Sequence, residues 1–445
     1  MESIFKAYDV RGKVGSELTP EVLQKIGQAF GDWMPEEGAV AVGRDMRPDS
    51  AELAAALILG LTTQGRDVID IGEVTSDMIY FAVGYLGLSG GAMVTASHNP
   101  GEYNGIKLCA DEAKPIGEES GLFEIRDAAI AEAFKPVNKM GAVSQKDISE
   151  AWVQHVLSFI DIKSLKSVKI AVDAGNGMAG KIFPILEPFV PWRVTQIYFE
   201  LDGTFPNHIA NPLEPKNLVD LQKELRTGGY AAGVAFDGDG DRAVLVDEAG
   251  EPLSGTVMTA ILAEYFLLKS PDATILHNAI CGRAVVEAIE RGGGKAVRTR
   301  VGHSFIKGDM RKHSAVFAGE HSGHYYFKDN FMADSGLIAA VIGLYIMDQS
   351  GKKLSELAAP FRKAYVQISE TNFEVADKNA VIEKLTKIFR DGNQDTLDGL
   401  TVSYKDGWFN VRPSNTEPLL RLNAEFKDQI RLDEIVQSVT NVIGS

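Results

Sequence analysis

Four clusters of chemically capable residues follow one another along this chain. The first is Thr95-Ala96-Ser97-His98-Asn99-Pro100, at the end of the apolar run Gly91 to Val94. The run reads as a buried strand, and Asn99-Pro100-Gly101 forces a turn. Ser97 is therefore a hydroxyl nucleophile on a rigid strand-to-turn corner. The second is Asp237-Gly238-Asp239-Gly240-Asp241-Arg242, between the strand patterns 231–236 and 243–246. Alternate residues of an extended segment share a side. Three carboxylates so placed repel one another unless a cation lies between them, and oxygen ligands select a hard ion, Mg²⁺ or Ca²⁺. Asp237, Asp239, Asp241 and Glu248 also have the spacing of an EF-hand loop, but Arg242 stands where that loop needs glycine and the flanks read as strands. The third cluster, Gly319-Glu320-His321-Ser322-Gly323-His324, sets a carboxylate and a hydroxyl on a loop suited to sugar hydroxyls. The fourth, Arg412-Pro413-Ser414-Asn415-Thr416-Glu417-Pro418 with Arg421 beyond, reads as an anion nest of guanidinium, hydroxyls and backbone amides.

A nucleophile, a hard-metal site, a hydroxyl-reading loop and a phosphate clamp are the equipment for moving a phosphoryl group on a sugar phosphate. On these stretches, and on Ala7-Tyr8-Asp9-Val10-Arg11-Gly12 near the start, the chain resembles the α-D-phosphohexomutase superfamily. Within it, the chain is similar to the bacterial phosphomannomutase/phosphoglucomutase group. The five motifs stand in family order and span nearly the whole chain.

The resemblance implies an isomerase that interconverts hexose 1-phosphate and hexose 6-phosphate. Ser97 would carry a phosphoryl group. Ser97, Asp237, Asp239 and Asp241 would hold Mg²⁺. Arg412, Ser414, Asn415, Thr416 and Arg421 would hold the phosphate already on the sugar. Transfer to O6 would give a hexose 1,6-bisphosphate, which turns end for end and returns its other phosphate to Ser97. By resemblance Glu320 and Ser322 hold O3 and O4, which exchange places on that rotation. Glucose and mannose share both hydroxyls, so dual specificity is expected. The resemblance gathers Lys107, Arg11 and His98 around the phosphoserine, with Tyr8, Arg242 and His303 near the sugar. Lys107 is the candidate base. Its ordinary pKa of about 10.4 is too high, and Arg11 and Mg²⁺ are expected to lower it.

The match departs from the family in two places. Many relatives carry lysine immediately before the cysteine that matches Cys281, whereas this chain has Ile280, and Arg283 is the candidate substitute. His321 stands where the mannose/glucose group often has Met and the glucosamine enzymes have Gln. Val301-Gly302-His303-Ser304 favours mannose and glucose, leaving phosphoglucosamine mutase as an alternative. A different class is signalled by Gly175-Asn176-Gly177-Met178-Ala179-Gly180, a dinucleotide fingerprint after a strand, with Glu200 twenty residues past Gly180. An NAD-dependent oxidoreductase is that alternative. The resemblance makes these glycines a tight turn instead.

These motifs need elements to carry them. Helical and strand patterns alternate from residue 19 to about 350, which means βαβ units and mostly parallel sheets covered on both faces. The fold expected is α/β, with three similar mixed domains, 1–146, 147–250 and 251–364, and a smaller α+β domain, 365–445. The resemblance arranges them as a heart around a central cleft. The chain has 445 residues, 45% apolar and 24% charged, ample for several cores. Its net charge of −16 argues against nucleic acid. Cys109 and Cys281 show neither disulfide nor zinc spacing. No signal pattern opens the sequence, and no apolar run reaches a membrane span. The expectation is a cytoplasmic monomer or weak dimer, with a phosphosugar and no membrane or nucleic-acid partner.

Overall fold

The computed structural model describes residues 1–35, 38–414 and 419–444. Four β-sheets follow one another along the chain. The first orders its strands Val10–Lys13, Tyr103–Ala110, Gly90–Val94, Val40–Arg44, Val68–Glu73, Val143–Gln145. The second runs Ala243–Asp247, Ala232–Phe236, Lys169–Asp173, Arg193–Ile197. The third runs Lys295–Thr299, Thr274–Asn278, Phe317–Gly319, Tyr325–Phe327, Ala333–Asp334. The fourth is antiparallel and centres on Gly407–Pro413 and Leu419–Phe426.

Local sequence explains the helices that cover these sheets. In Pro20–Trp33, Thr19 accepts from Val22 N, Pro20 occupies the first turn, and Leu23, Ile26 and Phe30 face inward. Ser254, Ser335, Asp377 and Asp428 cap Gly255–Lys269, Gly336–Ser350, Lys378–Ile388 and Gln429–Ile443 in the same way.

The sheets are less parallel than the alternation suggests, and the exceptions carry the chemistry. Gly90–Val94 pairs antiparallel with Tyr103–Ala110, Ala232–Phe236 with Ala243–Asp247, and Phe317–Gly319 with Tyr325–Phe327. The loops 95–102, 237–242 and 320–324 join them, and 414–418 joins the like pair in the fourth sheet. Each loop is too short for the helical crossover that a parallel pair requires. The Ser97, aspartate and sugar loops therefore each sit at the end of a hairpin.

One continuous apolar core runs through the first three domains, from Ala41 and Phe81 past Trp152 and Val234 to Ile338 and Phe361. The fourth domain has a core of its own around Leu400, Phe409, Leu422 and Val439. It meets the third domain through polar contacts. The Arg283 guanidinium donates to the carbonyls of Lys405 (2.9 Å), Gly407 (2.9 Å) and Tyr404, and Glu425 accepts from Arg283 N at 2.8 Å. Arg283 is thus a strut between domains and does not supply the charge missing at Ile280, whose side chain is itself buried.

Among the described residues no helix is long and apolar enough to cross a membrane.

Candidate active site

Ser97 is held in an unusual backbone conformation. Its φ is 52°, in the left-handed region that non-glycine residues rarely adopt, and such strain gathers at functional sites. Two residues outside the motifs impose it. Arg47 donates to the carbonyls of Ser97 (2.9 Å), Asn99 (2.6 Å), Pro100 (2.9 Å) and Tyr103 (2.9 Å). Asp45 accepts from Thr95 Oγ1 at 2.7 Å, and Thr95 Oγ1 accepts from Ser97 N at 2.9 Å. Asp45 and Arg47 pair at 3.2 Å with both side chains fully buried. Gly43-Arg44-Asp45-Met46-Arg47-Pro48, a charged run straight after a buried strand, is the sequence signal for this brace.

The aspartate loop lies directly beneath. A Cβ at Gly238 would stand 2.4 Å from the Ser97 carbonyl, so only glycine allows the two loops to touch. Ser97 Oγ donates to Asp237 Oδ2 at 2.9 Å. Asp237, Asp239 and Asp241 are all buried and can offer oxygens to one cation. Asp239 Oδ1 and Asp241 Oδ1 are buried with no hydrogen-bond partner, so the donor set fits a hard divalent ion such as Mg²⁺.

The aspartates have two cationic neighbours, Lys107 from the first domain and Arg242 from the loop itself. Lys107 Nζ donates to Asp239 Oδ2 at 2.6 Å and to Asp241. Arg242 Nε donates to Asp237 Oδ2 at 2.9 Å, and its Nη2 reaches Ser97 Oγ at 3.2 Å and His98 Nδ1. Arg242, expected near the sugar, braces Asp237 and Ser97. The expected lowering of Lys107 is also reversed. Burial pulls its pKa down, but Asp239 and Asp241 outweigh burial and hold it well above the usual lysine range. In these contacts Lys107 is an ammonium. His98 goes the other way: burial, then Arg242 and Arg11, keep it well below its ordinary value and neutral. Its Nδ1 faces the Arg242 donor, which leaves the ring proton on Nε2. Arg11 bridges Asp9 and Asn99, each at 2.6 Å.

Burial raises the Asp237 carboxyl to about 7 against the pull of Arg242. A metal must take the deprotonated form. Mg²⁺ binding should therefore release a proton below about pH 7, with affinity falling by about tenfold per pH unit there, and become proton-independent above about pH 8. Calorimetric titration in two buffers of different ionisation heat checks this. Equal proton release at pH 6 and pH 8 would contradict it.

The sugar loop closes through Glu320 N to His324 O at 2.9 Å. The Glu320 carboxylate is buried and oriented by Tyr326 Oη (2.5 Å), Asn278 Nδ2 (3.0 Å) and Gly302 N (3.3 Å). Ser322 is half-buried beside it. His303 begins the helix His303–His313 and packs edge-on to Tyr8, ring centroids 4.9 Å apart. Both its ring nitrogens are buried without a partner, and burial and Lys307 keep it well below its ordinary pKa. Burial, then Asp9, raises the Tyr8 phenol to about 12, so it stays protonated.

In the fourth domain Arg412 and Arg421 stand opposite each other on paired strands. Ser414 is buried, and its N–H donates to Leu419 O at 2.8 Å. Asn415 and Thr416 lie outside the described residues. Glu370, which no motif announced, accepts from both arginines.

The Ser97, aspartate and sugar loops form one connected site. Ser97 touches Asp237, and Asp241 Oδ1 lies 3.8 Å from His324 Nδ1. Tyr8 lies within the electrostatic reach of Arg11, Glu320 and Arg412 together, as Glu370 does of His321. The glycine fingerprint is not part of it. Gly175 N donates to Asp173, Asn176 N to Tyr198 O, Gly177 N to Ala174 O, and Met178 N to Gly238 O. A Cβ at Gly180 would stand 2.3 Å from Phe199 O. The amides that would cradle a pyrophosphate are engaged within the protein, and the loop backs the aspartates instead.

Comparison with known proteins places four family domains on the chain in order. "Phosphoglucomutase/phosphomannomutase, alpha/beta/alpha domain I" matches residues 2–135, domain II 150–250, domain III 254–365 and the C-terminal domain 370–442. The chain is 38% identical over 442 residues to "Phosphohexose mutases" of Xanthomonas campestris, covering 99% of this chain and 98% of the relative. It is 38% identical over 439 residues to a phosphomannomutase of Escherichia coli strain K12, covering 97% and 96%. Its structure is similar to that of a phosphoglucomutase/phosphomannomutase family protein of Burkholderia thailandensis. The TM-score is 0.92 and the identity 32%, over 99% of this chain and 97% of the other.

Proposed function

The chain belongs to the phosphoglucomutase/phosphomannomutase family, and we propose that it interconverts the 1- and 6-phosphates of mannose and glucose through a phosphoserine at Ser97. The observation that carries this reading is the contact of Ser97 Oγ with Asp237, where a strained loop meets the aspartate loop. The buried thiols Cys109 and Cys281 suit a reducing cytoplasm.

In this reading the Ser97 Oγ–P bond breaks as phosphorus bonds to O6 of a hexose 1-phosphate. Ser97, Asp237, Asp239 and Asp241 would hold Mg²⁺, which when bound neutralises charge on the phosphoryl oxygens. Arg412, Ser414, Asn415, Thr416 and Arg421 hold the phosphate on C1. Glu320 and Ser322 bind O3 and O4, with Tyr8 and His303 against the ring. Arg11 and His98 flank the phosphoserine. Lys107, an ammonium in its pair with Asp239 and Asp241, must leave them and give its own proton to water before it can take the O6 proton. The hexose 1,6-bisphosphate then turns, returns its C1 phosphate to Ser97, and leaves as the 6-phosphate. Catalysis here is positioning and charge stabilisation.

A ³¹P NMR time course tests the specificity. Enzyme, Mg²⁺, a trace of glucose 1,6-bisphosphate and equal mannose and glucose 1-phosphates should give both 6-phosphates, at rates within about tenfold of each other. A preference of roughly 100-fold at C2 would contradict a site that reads only O3 and O4. Glucosamine 1-phosphate in the same assay decides the third sugar.

A further inference from the structure

Glu370 lies between the strands Val366–Gln367 and Thr371–Glu374, near the start of the fourth domain. Its Oε1 accepts from Arg421 Nη1 at 2.9 Å. Its Oε2 accepts from Arg412 Nη2 at 3.2 Å and from Asn423 Nδ2 at 3.0 Å. The arginines oppose each other across an antiparallel pair, where like charges repel. A carboxylate between them relieves that repulsion. The Glu370 side chain is 25% exposed against 4% for Arg412, so it is open to displacement from solvent.

A phosphate binds guanidinium groups through the same forked hydrogen bonds as a carboxylate. Glu370 and an incoming phosphate therefore compete for the same donors. Because Glu370 is tethered, its effective concentration at the arginines is fixed and high. We propose that Glu370 is a built-in counter-anion of the phosphate clamp. It holds Arg412 and Arg421 when the clamp is empty, yields them to a substrate phosphate, and retakes them as that phosphate leaves. The proposal rests on the mutase reading, in which the bisphosphate must release the clamp by one end and rebind by the other. Glu370 is a positioning residue, acting on substrate through the two arginines.

Glu370→Gln keeps the shape and an acceptor oxygen and removes the charge. Calorimetric titration of the full chain with inorganic phosphate, at low salt, should show binding about tenfold tighter than in the unaltered protein. In turnover the KM for hexose 1-phosphate should fall, and kcat should fall with it because release becomes slow. Glu370→Asp keeps the charge but reaches less far, so its phosphate affinity should lie between the two. If Glu370→Gln does not fold, Glu370→Asp decides alone. Tighter phosphate binding than in the unaltered protein supports the proposal. Unchanged or weaker binding in whichever variant folds would overturn it and leave Glu370 a structural brace. The unaltered protein's own mutase assay is separate: failure there defeats the mutase reading, while the phosphate titrations still report on Glu370.

Discussion

Replacing Ser97 by alanine should lower kcat/KM for hexose 1-phosphate by on the order of 10⁴-fold or more, the scale at which loss of a covalent nucleophile is felt. The fold should survive. Asp237 keeps its contact with Arg242 at 2.9 Å, and the Ser97 carbonyl keeps its bond from Arg47. The backbone makes the prediction sharper. At φ 52° a Cβ is strained, so Ser97→Gly should be equally inactive yet more stable than Ser97→Ala, by about 1 kcal/mol. Thermal or denaturant unfolding of the two variants reads the difference directly. An inactive, stabilised glycine variant would mean that the strain serves placement of the nucleophile. Appreciable turnover in either variant would remove Ser97 from the mechanism.

The second large effect concerns Lys107. It is buried and paired with Asp239 and Asp241. Lys107→Met should leave two buried carboxylates without their cation and destabilise the metal-free protein by about 3–5 kcal/mol. Mg²⁺ should restore much of that loss, since a ligand that binds only the folded state stabilises it. The unaltered protein should gain less from Mg²⁺, because there the metal displaces a cation already in place. Activity should stay down by about 10²-fold or more even with saturating metal, as for loss of a general acid–base group. Melting curves with and without Mg²⁺ separate the two roles. If metal stabilises both proteins equally, Lys107 is not the resident counter-ion of the aspartates. Full turnover by Lys107→Met would end its role as the base.

The chemistry was legible in the sequence where it is local. Ser97, the three aspartates, Glu320 and Arg412 each sit in a short motif, and Asn-Pro-Gly or Gly-rich turns mark the loops that carry them. What could not be read is what depends on distant segments meeting. Lys107 shows no sign in its own neighbourhood that Asp239 and Asp241 face it. Arg283 stands one helical turn from the place of the missing lysine, yet its guanidinium turns away to the carbonyls of residues 404–407. Glu370 lies in a stretch without periodicity. The parallel-sheet expectation failed at each motif for one reason: alternation reports that strands and helices follow one another, and a short loop between two strands overrides it. The strand Leu419–Phe426, central to the last sheet, alternates Leu420, Leu422, Ala424 and Phe426 with Arg421, Asn423 and Glu425, and Asn423 and Glu425 are buried too, which the alternation alone does not reveal.

In the proposed mechanism every phosphoryl group passes through Ser97. The most direct measurement supplies the enzyme with hexose 1,6-bisphosphate labelled at one phosphate. Turnover is then quenched and the label located by peptide mass spectrometry. Label is expected on the peptide containing Ser97, at a level that follows turnover, and on both the 1- and 6-positions of the hexose phosphates. A protein that turns over while the Ser97 peptide stays unlabelled, or that releases the label only as inorganic phosphate, would contradict it.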